Sequence, residues 1–401
     1  MAASAKPIPS RERAGWAVTV SNPRVGVAAG ADGCADVCIT AVEAIPFVIP
    51  YRRPAGFASG TVSTADNVLV RVHTDAGLVG QAEAQPRPYA YGETQASIVD
   101  TVGATFAPLI VGLNPLDLEI VSERCGRIAG SQVARAAVDL AVWDLVGKIL
   151  DRPCHTLLGG YARDVAAAHM ISFGTPDEMA ENALAVHERL GVRTFKIKVG
   201  REPDIDIAAT RAIRGALPDA DLYVDANCGW SYDDALRAGN ELTSLGVRAI
   251  EEPIAVHNRA GRLRLAERWS VPLIGDESCI SLAHVDRALE EGAVRAVSVK
   301  TARTGFTESR RILDLCLARS ISIVVGSQYE GAIGSTVTVA FAAAFAATAA
   351  QPAEITNFLD LADDLVVPSL EIRDGRVAVP EAVGLGVEVD DERLQRYRID
   401  G

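Results

Sequence analysis

The sequence has no Cys-x-x-Cys pair and no His-x-x-x-His pair, although it carries seven cysteines and six histidines. Scattered thiols without such spacing argue against a disulfide framework or a zinc site and fit reduced cytosolic cysteines. His169 and His284 therefore read as packing or surface residues. Positive charge is also short, with 39 Lys and Arg against 52 Asp and Glu, a net charge of −13. No basic stripe interrupts that balance, which excludes non-specific nucleic-acid binding and favours solubility. Uninterrupted apolar runs of membrane-spanning length, about 18 residues, are missing. The nearest is "TVTVAFAAAFAATAA", which reads as a buried helix. These absences leave a cytoplasmic protein of 401 residues, 49% apolar and 23% charged, an ordinary globular composition.

Residues 1–37 are rich in Ala, Gly, Pro and Ser and lack the apolar core of a signal peptide. We read them as a disordered extension or an over-extended start. Residues 38–88 read as antiparallel strands, "CITAVEAIPFVIPY", "DNVLVRVHTD" and "LVGQAEAQP", with a polar loop "RRPAGFASGTVSTA" between the first two. From about 92 to 158 the pattern turns helical, as in "SQVARAAVDLAVWDLVGKIL". Strands followed by helices imply an α+β unit over 38–160.

After "LLGGYARD" short apolar strands alternate with helices. The strands are "VAAAHMISF", "TFKIKVG", "DLYVDAN", "VRAIEEP", "VPLIGDES", "VRAVSVK", "ISIVVGS" and "AEITNF". Helices are expected over 177–190, 204–216, 233–245, 259–269, 283–291 and 307–319. Such βα repetition predicts a parallel sheet, and eight strands predict a closed barrel over 161–362. The remaining 363–401 read as strands and turns that return to the first unit.

Five of these strands end in an unusual charged residue: Lys198, Asp225, Glu251, Asp276 and Lys300, spaced by 27, 26, 25 and 24. Spacings of one βα unit each predict equivalent places on neighbouring strands, at the barrel mouth where active sites form. Three converging carboxylates need a counter-charge, and a hard cation supplies it. With no His or Cys at these ends, Mg²⁺ or Mn²⁺ fits better than zinc or iron. The lysines on either side are candidate proton donors and acceptors, with pKa values lowered by a neighbouring cation and the metal. Lys196 shares the inner face of its strand with Lys198. Taken singly, each residue has a bland explanation as a cap, a loop residue or a snorkelling lysine. The joint pattern does not.

The motifs "KIK" (Lys196, Lys198), "DAN" (Asp225, Asn227), "IEEP" (Glu251), "GDES" (Asp276) and "SVK" (Lys300) resemble the enolase superfamily, in its muconate-lactonizing subgroup. "RPYAYGETQ", "KTARTGFTESRRI" and "NFLDLADDL" look like the actinobacterial muconate cycloisomerases. The resemblance implies an α/β fold: a (β/α)7β modified TIM barrel with an N-terminal α+β capping domain completed by the C-terminal tail. It implies Mg²⁺ on Asp225, Glu251 and Asp276, with Lys198 and Lys300 facing opposite sides of the substrate α-carbon. Lys196 would sit near the metal-bound carboxylate and tune Lys198. The implied reaction converts cis,cis-muconate to muconolactone through a metal-stabilised enolate that Lys198 protonates. Glu330 in "SQYEGAIG" is a candidate partner of Lys300. Phe57, Tyr89 and Tyr91 are candidates to close over the substrate, and Arg52 and Arg53 to meet its free carboxylate. Family members are commonly homo-oligomers. The same machinery could serve a racemase or epimerase of N-acylamino acids or dipeptides, or an o-succinylbenzoate synthase. From other classes, a Schiff-base aldolase would need a nucleophilic lysine and no metal, and the intact set of five charged residues argues against a catalytically dead binding barrel.

Overall fold

The structure, a computed structural model, describes residues 37–400 except Ser59 and Pro368. The reading of the first 37 residues as an extension thus lies outside the described residues, Val37 apart.

Three antiparallel strands open the described chain: β1 (Ile39–Phe57), β2 (Gly60–Thr74) and β3 (Val79–Ala84). The segment expected as a loop, 52–65, is mostly strand, because pairing resumes after an irregularity and runs to Phe57↔Gly60. Its Thr and Val residues suit a two-stranded ribbon whose faces are largely solvated, so polarity alone misreads it. Helix Gln132–Ile149 packs on β3 through a near backbone contact. A Cβ at Gly80 would collide with the Ala141 carbonyl, so only glycine fits there. Ser131 before this helix gives no side-chain cap. Glu93 replaces it, accepting from the amides of Val133 (2.8 Å) and Ala134 (3.0 Å).

Eight parallel strands follow: β4 (Asp164–Ile171), β5 (Thr194–Lys198), β6 (Asp221–Asp225), β7 (Val247–Glu251), β8 (Leu273–Gly275), β9 (Ala296–Val299), β10 (Ser322–Val325) and β11 (Ala353–Glu354). They neighbour one another in chain order, and β11 pairs back onto β4. Among the described residues β10 and β11 form no ladder. Their ends are tied instead by the Ser327 amide donating to Glu354 Oε2 (3.2 Å). The domain is barrel-like on this evidence, with an interior of Ala168, Tyr223, Ala249, Ile274 and Ala296. Outward residues such as Leu222, Val224, Ile250 and Val297 join the larger core under the helices.

The helices begin where capping residues stop the loops. Thr175 and Glu178 form a reciprocal capping box, and Ser231, Asn258 and Ser281 cap the next helices. The helix expected from 307 begins at Thr301 and bends at Gly305. The Ala-rich segment forms a wholly buried helix, Ala332–Ala344. In the tail, β12 (Ile372–Arg373) and β13 (Arg376–Ala378) form a hairpin, and β13 pairs antiparallel with β4. Helix Asp391–Tyr397 lies beside β1, where Ile399 N donates to Pro46 O (3.1 Å).

Candidate active site

Strand register decides which side chains share the mouth. Lys198 pairs with Asp225, and Asp225 with Glu251. Glu251 then pairs with Ile274, and Ile274 with Ala296, so Asp276 and Lys300 each stand two residues further along. A spacing of one βα unit therefore does not mean equal register. A two-residue stagger keeps a side chain on the inner face, and in tilted strands it restores a common height.

Carboxylate oxygens of Asp225, Glu251 and Asp276 lie within 4.8 Å of one another, all buried. Lys196 sits beneath them, 1% exposed. Its ammonium meets Glu251 Oε1 (2.8 Å), Asp225 Oδ2 (3.0 Å) and Glu354 Oε1 (3.0 Å). Lys198 donates to Asp225 Oδ2 (2.6 Å) and Asn227 Oδ1 (2.8 Å). Across the triad, Lys300 pairs with Asp276 Oδ2 (2.5 Å). Gly326 leaves room for it: a Cβ there would press on Ser298 and on the Lys300 side chain.

The charges set one another. Burial opposes the charge of Asp276, but Lys300 and Arg303 outweigh it and hold the carboxyl well below its usual range. Asp225 is likewise held down, by Lys196 and Lys198 against burial. Glu251 goes the other way: burial first, then the Asp225 charge, push it well above the usual range. Burial opposes charge on Lys196 and Lys300 too, yet the carboxylates raise both. At Lys300, among the protein groups alone, the direction is thus opposite to the lowering expected from a neighbouring cation and a metal. The lysines' nearest neighbours are anions.

Glu251 Oε2 is buried without a hydrogen-bond partner. An orphaned carboxylate oxygen, two further carboxylates and no nitrogen or sulfur donor in the set fit a hard divalent cation. The second acidic cluster, Cys228, Glu252 and Glu277, is different. Glu252 is consumed structurally: it accepts from the amides of Asp276 (2.6 Å) and Ser278 (2.9 Å) and pairs with Arg262. That clamp aims Asp276 after the short strand β8.

A cavity of about 1080 Å³ opens above the triad, and Phe57, Tyr89, Tyr91, Lys196, Lys198, Asn227, Asp276 and Lys300 line it. The Phe57 ring centre lies 5.4 Å from Lys198 Nζ. Tyr91 OH accepts from Arg303 Nη1 (2.7 Å), whereas Tyr89 is 78% exposed at the rim. Two expectations fail. Glu330 turns back on its own loop, taking Ser327 Oγ and the Gln328 amide, while Lys300 takes Asp276. Arg52 donates to the Leu359 carbonyl (3.3 Å), and neither it nor Arg53 lines the cavity.

Three residues of the site went unread in the sequence. Glu354 closes the ring of charges from β11 and accepts from Tyr223 OH (2.8 Å). Glu277 accepts from Asn227 Nδ2 (2.9 Å), and burial pushes its carboxyl up to about 7. Arg303, fully buried, pairs with Asp276 and donates to the Ser298 carbonyl (2.7 Å). Asn227 itself is left-handed, with φ 41°, as are its neighbours Cys228 at 62° and Glu252 at 38°. Strain of this kind gathers at functional sites.

A barrel-like mouth thus holds three acidic side chains between two lysines. Comparison with known proteins gives the class. Residues 178–393 match the family model "Enolase C-terminal domain-like", and 40–159 match "Mandelate racemase / muconate lactonizing enzyme, N-terminal domain". The chain belongs to the enolase superfamily, in its muconate-lactonizing subgroup. A muconate lactonizing enzyme from Mycobacterium smegmatis, solved with muconolactone, is 43% identical with a TM-score of 0.89, covering 90% of this chain and all of that one. A chloromuconate cycloisomerase from Cupriavidus pinatubonensis is 30% identical over 87% of this chain and 95% of its own length. A hydrophobic dipeptide epimerase from Enterococcus faecalis is 31% identical over 84% and 96%. A dipeptide epimerase of that bacterium, solved with Mg and L-Leu-L-Tyr, has a TM-score of 0.83 at 29% identity, covering 88% and 99%.

Proposed function

We propose that the protein is a Mg²⁺-dependent muconate cycloisomerase that converts cis,cis-muconate to muconolactone. The observation that carries the choice of substrate is the 43% identity, over its whole length, to an enzyme solved with muconolactone. Epimerase relatives stand at 25–31%, and other cycloisomerases of the subgroup at 28–31%.

Asp225, Glu251 and Asp276 would hold the cation, with Mn²⁺ as a possible substitute. Bound there, it supplies a Lewis acid for negative charge on the substrate's near carboxylate. The chain's own residues do the rest. Oxygen of the far carboxylate bonds to carbon as the nearer π bond breaks, and the electron pair moves toward the near carboxylate as an enolate. Lys198, held by Asp225 and Asn227, gives its Nζ proton to the α-carbon. Lys300, on the other flank, offsets charge without transferring a proton. Lys196 balances the triad from below. Phe57 and Tyr91 cover the reacting carbons and exclude water. The reading includes a cytoplasmic homo-oligomer; light scattering checks its subunit number.

Loss of muconate absorbance in the ultraviolet, with and without Mg²⁺ and EDTA, tests the proposal. Magnesium-dependent turnover is expected. The second reading, an epimerase, draws on the dipeptide relatives and on the two opposed lysines. It predicts exchange of the α-proton of dipeptides in D₂O and no muconate turnover.

A further inference from the structure

Four arginines line the cavity, and they differ in what they meet. Arg262 is paired with Glu252 and Arg259 with Glu291 (3.0 Å), while Arg287 is exposed to solvent. Arg87 is half-buried, and its guanidinium donates to the carbonyls of Pro86 (3.0 Å) and Gln328 and lies against the Tyr51 hydroxyl, all neutral groups. Among the described residues it forms no ion pair with a carboxylate. A partly desolvated guanidinium held by neutral acceptors retains its full charge and its capacity for a carboxylate.

The ground between Arg87 and the lysines is aromatic. Gln328, which takes Arg87, precedes Tyr329 in the loop after β10. The Tyr329 ring meets Phe57 edge-on at 5.7 Å, and Phe57 faces Lys198. Tyr329 is itself left-handed, with φ 74°. Its carbonyl accepts from Tyr51 OH (3.4 Å) and Gln85 Nε2, so residues of the first sheet hold this strained loop in place. One wall of the cavity thus runs from the ammonium of Lys198, along two rings, to an arginine without an anion.

We infer that Arg87 anchors the far carboxylate of the substrate, which makes short dicarboxylates the preferred class over monocarboxylates. The inference deepens the proposed cycloisomerase reading and rests on it for the near carboxylate's place at the triad. Unreactive probes separate the two. Titration calorimetry in Mg²⁺ buffer compares adipate, hexanoate and 6-aminohexanoate on wild type, Arg87→Gln and Arg87→Lys. Wild type should bind adipate roughly tenfold or more tightly than hexanoate, and 6-aminohexanoate most weakly. Arg87→Gln should erase the adipate preference while leaving hexanoate unchanged, and Arg87→Lys should restore part of it. A preference that survives Arg87→Gln overturns the inference. So does a flat ranking in wild type, a measurement that stands even where Arg87→Gln fails to fold. An enzyme that ignores muconate yet shows the Arg87-dependent preference would overturn the cycloisomerase and leave the anchor.

Discussion

The protein buries carboxylates in two regions and treats them in opposite ways. In the mouth, Asp225 and Asp276 are held charged against burial by lysines and an arginine. Along the seam between the first sheet and helices and the barrel-like domain, the partners are neutral. Glu83 on β3 takes Asn67 and the amides of Gly331 (3.1 Å) and Gly334 (2.9 Å), and burial pushes it up to about 7. Asp139 takes the amides of Phe306 (2.7 Å) and Thr307 (3.1 Å), and burial pushes it up to about 6. Glu83 lies about as deep as the mouth carboxylates and Asp139 is partly buried, so the partners set the contrast. Amides orient a carboxyl at a helix start; ammonium groups keep it ionised for chemistry.

The sharpest way to break the contrast is to neutralise a mouth carboxylate. Asp276→Asn should cost about a thousandfold or more in turnover and abolish Mg²⁺ binding measured by calorimetry. Lys198→Ala should cost roughly a hundredfold to ten-thousandfold while Mg²⁺ binding persists. An unchanged rate would remove Lys198 from the chemistry. Lys300→Ala should cost about tenfold, the scale of a single electrostatic contact. A loss equal to that of Lys198→Ala would mean that both lysines move protons, as an epimerase requires.

The seam gives a smaller effect with a defined sign. The folded-state pKa of Glu83 is raised above its ordinary 4.5, so its contribution is complete below about 4.5 and fades as pH rises through about 7. Relative to Glu83→Gln, wild type should therefore lose melting temperature between pH 5 and 8. A gap that stays constant with pH would show that Glu83 does not titrate in the folded state.

The charged strand ends were legible because a repeat repeats its geometry: one βα unit after another delivered Lys198, Asp225, Glu251, Asp276 and Lys300 to one mouth. The two-residue staggers were not legible, since they arise from strand tilt and leave no mark on the spacing. Arg303 was hidden by a misplaced boundary. With the helix expected from 307, a residue three beyond Lys300 reads as loop, whereas it sits in the first helical turn. Glu354 stands on a two-residue strand too short to announce itself. The polar hairpin arm was misread for a related reason: the pairing that makes 52–65 a strand lies in its partner, outside any local window. Glu330 pointed the wrong way because loop geometry, which no spacing encodes, turned it toward its own backbone.

The tail's return to β4 and β1 bears on how the protein is made. Every mouth residue up to Arg303 has left the ribosome well before the strand that pairs with β4 and the helix that settles beside β1. A nascent chain can therefore own its full set of acidic ligands while its edges are still open. A product truncated before β13 should carry the ligands without the strand that pairs with β4.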